Sequence, residues 1–277
     1  MGSPRRATGL LELTLAPDDA SRTNVVARRL RFPLRMTVPL YLDPVDRGMA
    51  FVYIQNPTGG VFAGDDLTVD IDAQPGSRLH LTTQSATKVE GSAVQRIDIR
   101  AHAGSYVEYV PDALIPHAGS RYEQLLRVEL GEGASFVGTE LVAPGRIGRG
   151  ERFAYTILGL DTVVTDGRST LMAETMLLEP SRRSPRKRGL LGDSNYTGVM
   201  FAVTRREGVA ERLASELDSA LERDTRVRGA AGELPQAAGA MARVLADSAP
   251  AALRALDAAW EVARRTLIAL PLPPRRK

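Results

Sequence analysis

Four short stretches of this chain begin on a glycine and continue as strand: Gly48-Met49-Ala50-Phe51-Val52-Tyr53, Gly76-Ser77-Arg78-Leu79-His80-Leu81, Gly104-Ser105-Tyr106-Val107-Glu108-Tyr109 and Gly133-Ala134-Ser135-Phe136-Val137-Gly138. Their glycines stand 28, 28 and 29 residues apart. Leu67-Thr68-Val69-Asp70-Ile71, Ile97-Asp98-Ile99 and Leu126-Arg127-Val128-Glu129-Leu130 each precede one of the last three, alternating apolar with polar as half-buried strands do. The unit is strand, turn, strand. Fixed-period self-similarity of this size marks stacked units that bury their apolar faces only against neighbours. A fifth copy is expected around Gly167, 34 residues after Gly133, with residues 146–153 as an insertion. The sequence therefore predicts a mainly β fold of stacked sheets, a β-helix-like repeat of strand pairs. A sandwich of ordinary hairpins is the competing architecture.

After residue 180 the pattern changes. Residues 181–189 hold Arg182, Arg183, Arg186, Lys187 and Arg188, with no aromatic among them to stack on a base. They read either as a solvated loop or as a contact for an acidic partner protein. Residues 198–204 read as a strand. Val209, Leu213, Leu217 and Leu221 recur every fourth residue, one face of a helix. A second helix has Ser248 as cap, Pro250 in its first turn, and Leu253, Leu256, Trp260, Ala263 and Leu267 as its apolar stripe. Residues 241–245 form one more expected strand. The expected organisation is a β stack over 1–180, with a basic loop and a small α+β part over 181–277 packed on it as one structural unit.

A length of 277 residues with 43% hydrophobic and 25% charged residues is that of an ordinary folded protein. The net charge of +3 lacks the broad excess of a nucleic-acid binder. Cysteine is absent, which excludes disulfides, thiolate metal sites and cysteine nucleophiles, and fits a cytoplasmic location. The apolar run at 10–15 is broken by Glu12 and Thr14 and is too short for a signal sequence; no stretch is long enough to span a membrane.

Catalytic signatures are missing: the chain has no phosphate-binding loop ending in Lys-Ser/Thr, no Gly-x-Ser-x-Gly and no His-Glu-x-x-His. The glycine cluster 59–64 lacks the lysine that reaches a phosphate, and its Asp65 repels one. His80, His102 and His117 fall in different repeats without ligand spacing and read as surface or satisfied core residues. Glu140 and Glu174 each sit among apolar neighbours. A carboxylate facing the inside of a stack is costly unless paired, hydrated or bound to a cation, and alternation leaves open whether each turns inward or outward.

Taken together, Pro57-Thr58-Gly59-Gly60-Val61-Phe62-Ala63-Gly64-Asp65, then Leu81-Thr82-Thr83-Gln84-Ser85-Ala86-Thr87-Lys88-Val89, then Glu108-Tyr109-Val110-Pro111-Asp112-Ala113-Leu114-Ile115, then Gly145-Arg146 with Gly150-Glu151, resemble the urease accessory protein D family, also called UreD or UreH. Trp260, Arg264, Arg265 and Pro274-Arg275 resemble its closing signature, so the likeness runs over nearly the whole chain. Ala63 stands where the family usually has glycine, Val89-Glu90 replaces a more usual aromatic pair, and the stretch 182–188 is unusually basic.

The resemblance implies a non-enzyme that binds apo-urease and the accessory proteins F and G and helps deliver Ni²⁺ to urease. It implies no tightly bound cofactor, with Ni²⁺ in transit through an internal tunnel; charge and hydropathy point to no nucleic-acid or membrane partner. By motif it places Asp65, Glu140 and Glu174 on the nickel path and Thr87 on the tunnel wall, all expected around one water-accessible interior. Arg182, Arg183, Arg186, Trp260 and Arg264 are the candidate partner-binding residues. Dispersed oxygen ligands suit a conduit, because they release an ion that thiolate or imidazole cages would trap. The rival readings are a hydrolase or lyase on a β-solenoid, using Asp and Glu pairs as acid and base, and a protein-binding module without an ion path.

Overall fold

The computed structural model describes residues 8–274; Arg275 of the closing signature lies outside the described residues. The elements are β1 (Gly9–Pro17), β2 (Thr23–Arg31), β3 (Arg35–Met36), β4 (Ala50–Gln55), β5 (Val61–Phe62), β6 (Asp66–Ala73), β7 (Arg78–Thr83), β8 (Thr87–Glu90), β9 (Ser92–Ala101), β10 (Tyr106–Tyr109), β11 (Leu114–Pro116), β12 (Arg121–Leu130), β13 (Ser135–Val142), β14 (Ile157–Thr165), β15 (Thr170–Leu178), β16 (Tyr196–Thr204), α1 (Val209–Glu222), β17 (Val227–Glu233), β18 (Gly239–Ala246) and α2 (Ala249–Ile268). They form three layers. An outer sheet runs β15-β14-β12-β9-β6-β1-β2, a central sheet runs β17-β18-β16-β13-β10-β7-β4-β3, and both helices cover the far face of the central sheet.

The repeat is a coil. Each turn lays one strand in the outer sheet, crosses a glycine corner, and lays the next in the central sheet. It then returns through a short third ribbon made of β5, β8 and β11. Register follows the period: Asp66 pairs with Val94, Ser92 with Arg121, Arg78 with Tyr106, and Tyr106 with Ser135, all in parallel. Gly76, Gly104 and Gly133 hold φ of 73°, 66° and 67°, a left-handed corner that side chains resist.

Two members of the expected series differ. Parallel pairing of Ala50 with Leu79 sets Gly48 in line with Ser77, and Gly48 does not adopt the left-handed corner. At Gly167 the chain makes a hairpin instead of a coil: β15 runs back antiparallel along β14, in the same sheet. The stack therefore stops at β14, and β16, β18 and β17 extend the central sheet antiparallel from β13.

Stacking brings backbone against backbone at the corners. A Cβ on Gly131 would lie 2.7 Å from Ala103 N and 2.9 Å from His102 C, main-chain atoms of the coil below. Gly131→Ala is expected to lower stability by about 1–3 kcal/mol, the usual cost of overpacking, read from the urea midpoint. An unchanged midpoint would mean that the corners yield.

Alternation divides two cores. Leu79 and Leu81 of β7 and Phe136 and Val142 of β13 meet the outer sheet, whereas Val137 and Leu141 of β13 face the helices. Leu213, Leu217 and Leu221 of α1 are buried, and Ser248 Oγ caps α2 by accepting from Ala251 N at 3.4 Å. No helix among the described residues is long and apolar enough to cross a membrane.

Candidate functional site

The inward row of β13 contains one polar residue with a long side chain. Glu140, two places from Val142, points between the sheets and is 6% exposed. Thr162, on the inward row of β14 with Leu158, Leu160 and Val164, donates its hydroxyl to Glu140 Oε1 at 2.6 Å. Antiparallel β15 then sets Glu174 directly across from Thr162, on the same inward face. Arg243 of β18 closes the group, its Nη2 2.5 Å from Glu174 Oε2. The Glu174 side chain is 12% exposed and that of Arg243 is 57%, so the ion pair sits at the edge of the sheet interface with Glu140 behind it.

Burial pushes the Glu140 carboxyl above its ordinary value; the Thr162 hydrogen bond opposes this, and the nearby Glu174 charge adds to it. The folded protein thus binds this proton more tightly than the unfolded chain does, and ionised Glu140 costs stability as pH rises above about 4.3. Glu140→Gln, which keeps an acceptor for Thr162, is expected to match the wild type below pH about 4 and to be the more stable protein at pH about 7. Urea unfolding at the two pH values checks this, and an equal difference at both would refute it.

A second polar region lies towards the other end of the coil. The Tyr122 hydroxyl donates to Gln95 Oε1 at 2.6 Å between the sheets. Gln95 also lines a cleft of ≈ 740 Å³, open mouth included, whose walls include Asn56, Gly60, Thr83, Ser85 and Thr87. Between the two regions stands Tyr109, buried, its phenol held above its usual range by burial and then by the charge of Glu140; Tyr109 in turn acts on Tyr122. The inward polar residues are thus spread over β9 (Gln95), β12 (Tyr122), β10 (Tyr109), β13 (Glu140) and β15 (Glu174).

The positions picked from sequence divide accordingly. Glu140 and Glu174 come together. Thr87 lies on the third ribbon and lines the cleft, where its own N–H donates to Ala113 O at 2.9 Å. Asp65 is half-buried at a corner, and its carboxylate accepts from Phe62 N at 2.8 Å, capping its own turn. Among the described residues, no group of three or more His, Cys, Asp or Glu is placed to hold a metal ion. The sequence patterns do not single out Thr162, Gln95, Tyr122 or Arg243. The signal for Thr162 was present, a hydroxyl on an otherwise apolar row of β14, but only its pairing with Glu140 gives it meaning.

Trp260 and Arg264 are corrected as partner-binding residues, because they are 1% and 0% exposed. Arg264 reaches from α2 into the central sheet. Its Nη1 donates to Glu108 Oε1 at 2.7 Å, its Nη2 to Asp43, and its Nε to Pro271 O at 2.8 Å. The Tyr106 hydroxyl donates to Glu108 Oε1 at 2.6 Å, and His80 Nδ1 lies 2.8 Å from Glu108 Oε2. Trp260 stacks on His80 at 5.1 Å between centroids. Burial opposes the charge on Glu108, but the His80 hydrogen bond and the Arg264 guanidinium outweigh it and hold the carboxyl below its ordinary value. Arg182, Arg183 and Arg186, by contrast, are exposed in the loop between β15 and β16.

Comparison with known proteins agrees along the full length. Residues 7–277 match the family described as UreD urease accessory protein. The chain is 39% identical to the urease accessory protein UreD 2 of Streptomyces griseus, over 100% of this chain and 95% of that one. It is 33% identical to the urease accessory protein UreD of Mycolicibacterium gilvum, over 97% and 98%. Its identity to the urease accessory protein UreD of Haloarcula marismortui is 35%, over 100% and 92%. With a family match from residue 7 to the last residue and near-complete coverage of relatives at these identities, the chain belongs to the UreD family of urease accessory proteins.

Proposed function

We propose that this protein is a non-catalytic scaffold of urease maturation that passes Ni²⁺ to apo-urease along the space between its two sheets. In this reading it works in the cytoplasm, binding urease and the accessory proteins F and G. The observation that carries the reading is Glu140, turned into the sheet interface beside Thr162 with Glu174 at its edge. A buried carboxylate is costly in an apolar core, and a cation in transit is one physical reason to keep it there. Nickel is cargo, so the site must release what it admits. Two carboxylates and a hydroxyl are hard, exchangeable donors that bind a divalent transition metal less firmly than thiolate or imidazole sets. In this reading Tyr122, Gln95 and the Thr87 cleft extend the polar lining away from Glu174, with entry and exit at separate places.

Co-expression with the urease subunits and the other accessory proteins tests this. Urease purified beside Glu174→Leu is expected to contain less nickel than urease matured by the wild type, with the complex still assembling. Equal nickel content would leave the partner-binding module as the reading. Hydrolytic turnover by the purified chain alone would instead favour the carboxylate enzyme.

A further inference from the structure

Two loops separated in sequence by the β14–β15 hairpin meet at the surface. The first, residues 146–152, follows β13 and carries Arg146, Arg149 and Arg152 with Glu151; the second, residues 179–195, joins β15 to β16 and carries Arg182, Arg183, Arg186, Lys187 and Arg188 with Glu179 and Asp193. Asn195 ties them: its Oδ1 accepts from Arg152 Nη1 at 2.9 Å and from Arg186 Nη2 at 3.1 Å. Arg186 also lies over the Phe153 ring, 5.6 Å from its centroid. The joined surface sets eight cations against three carboxylates, an excess larger than the net charge of +3 of the whole chain.

The carboxylates are mostly spent internally, Glu151 on Arg146 and Glu179 on Arg182. Arg149, Arg183, Lys187 and Arg188 are exposed, and among the described residues no ion pair within the chain engages them. Clustered, unneutralised like charges repel one another in the free protein, and an anion laid across them relieves that repulsion.

We propose that this two-loop basic face docks an acidic segment of a protein partner. The Phe153 ring beside the face lies 5.6 Å from the Arg186 guanidinium, and no aromatic falls within the basic stretch 181–189, which favours a peptide over a nucleic acid. Side chains from separate loops give a broad, discontinuous array suited to carboxylates spaced along a chain. Such a face acts mainly through encounter rate and orientation, so its contribution falls with salt. The inference rests on the maturation reading in one respect: the partner carrying the acidic segment belongs to the urease assembly.

Fluorescence anisotropy with a labelled poly-glutamate peptide at low ionic strength tests the face directly. The variant Arg183→Glu/Lys187→Glu/Arg188→Glu is expected to bind the peptide at least about tenfold more weakly than the wild type. A control, Arg28→Glu/Arg47→Glu/Arg223→Glu, makes the same change in net charge elsewhere and is expected to lose less than about twofold. Thermal unfolding establishes that both fold. Equal losses in the two variants, or a dependence on the face seen with a single-stranded oligonucleotide and not with the peptide, overturn the proposal. Co-purification with co-expressed urease and accessory proteins adds a separate readout. A patch variant that keeps both its peptide binding and its complex sinks this inference while leaving the maturation reading intact. If instead the wild type forms no complex at all, the maturation reading itself fails.

Discussion

Arg264→Leu is expected to lower the unfolding free energy by about 3–5 kcal/mol, the largest single-site loss of stability anticipated in the molecule. The guanidinium is fully buried and holds Asp43 and Glu108, which are themselves fully buried. Leucine fills some of the space but takes the guanidinium from both carboxylates, leaving Asp43 with the Val45 and Asp46 N–H groups and Glu108 with Tyr106 and His80, so the site must take up protons, on the carboxylates or on His80, or draw in water. The penalty arises from the carboxylates left behind, so removing them as well should return much of it. Asp43→Asn/Glu108→Gln/Arg264→Met is expected to recover roughly half of the loss or more, because replacing a whole buried ion set is far milder than breaking it. Urea denaturation of the two variants decides the matter. If the triple variant is less stable than Arg264→Leu, the loss comes from missing side-chain packing rather than from stranded charge.

The second large effect is on nickel. Glu140→Leu/Glu174→Leu removes both carboxylates from the edge of the sheet interface, leaving Thr162 and Arg243 there. If the ion passes there, an apolar edge that also presents an uncompensated cation is a barrier to a divalent ion. Nickel in co-expressed urease is expected to fall by about tenfold or more, equivalent to about 1.4 kcal/mol of added barrier. The chain itself should remain folded, because neither leucine strands a buried charge: Arg243 is more than half exposed and can be hydrated. Metal analysis of purified urease reads the effect. Undiminished loading would place the route elsewhere, and loss of the whole complex would point to a docking role for this edge.

How much of this could be read from the chain depends on the range of the interaction. The coil was legible because its period is written twice, in the alternation of β6, β9 and β12 and in the left-handed corners at Gly76, Gly104 and Gly133. A further set of corners, Gly64, Gly91 and Gly119, with φ of 89°, 85° and 74°, carries the same period on the other side of each coil and passed unread. Gly167 misled for a local reason. A glycine serves a coil corner and a hairpin equally well, and what separates them is where the following strand finds its hydrogen-bond partners.

The helices were legible from leucine spacing, but α2 concealed its chief residue. Arg264 lies next to the apolar stripe and looks like a solvated cation until Asp43 and Glu108, 221 and 156 residues away, are brought to it. The inward direction of Glu140 was undecidable because every residue of β13 is buried, one face against the outer sheet and the other beneath helices. Two-sided burial erases the alternation that would have told in from out.

The reach of Arg264 also bears on synthesis. Asp43 and Glu108 emerge from the ribosome long before the arginine that neutralises them, so a nascent chain carries coils whose carboxylates still require water. Only when α2 arrives can that water be expelled and the central sheet be sealed from behind. A product cut short before residue 264 is expected to hold a wet, negatively charged seam, an open mark of incompleteness for quality-control proteases.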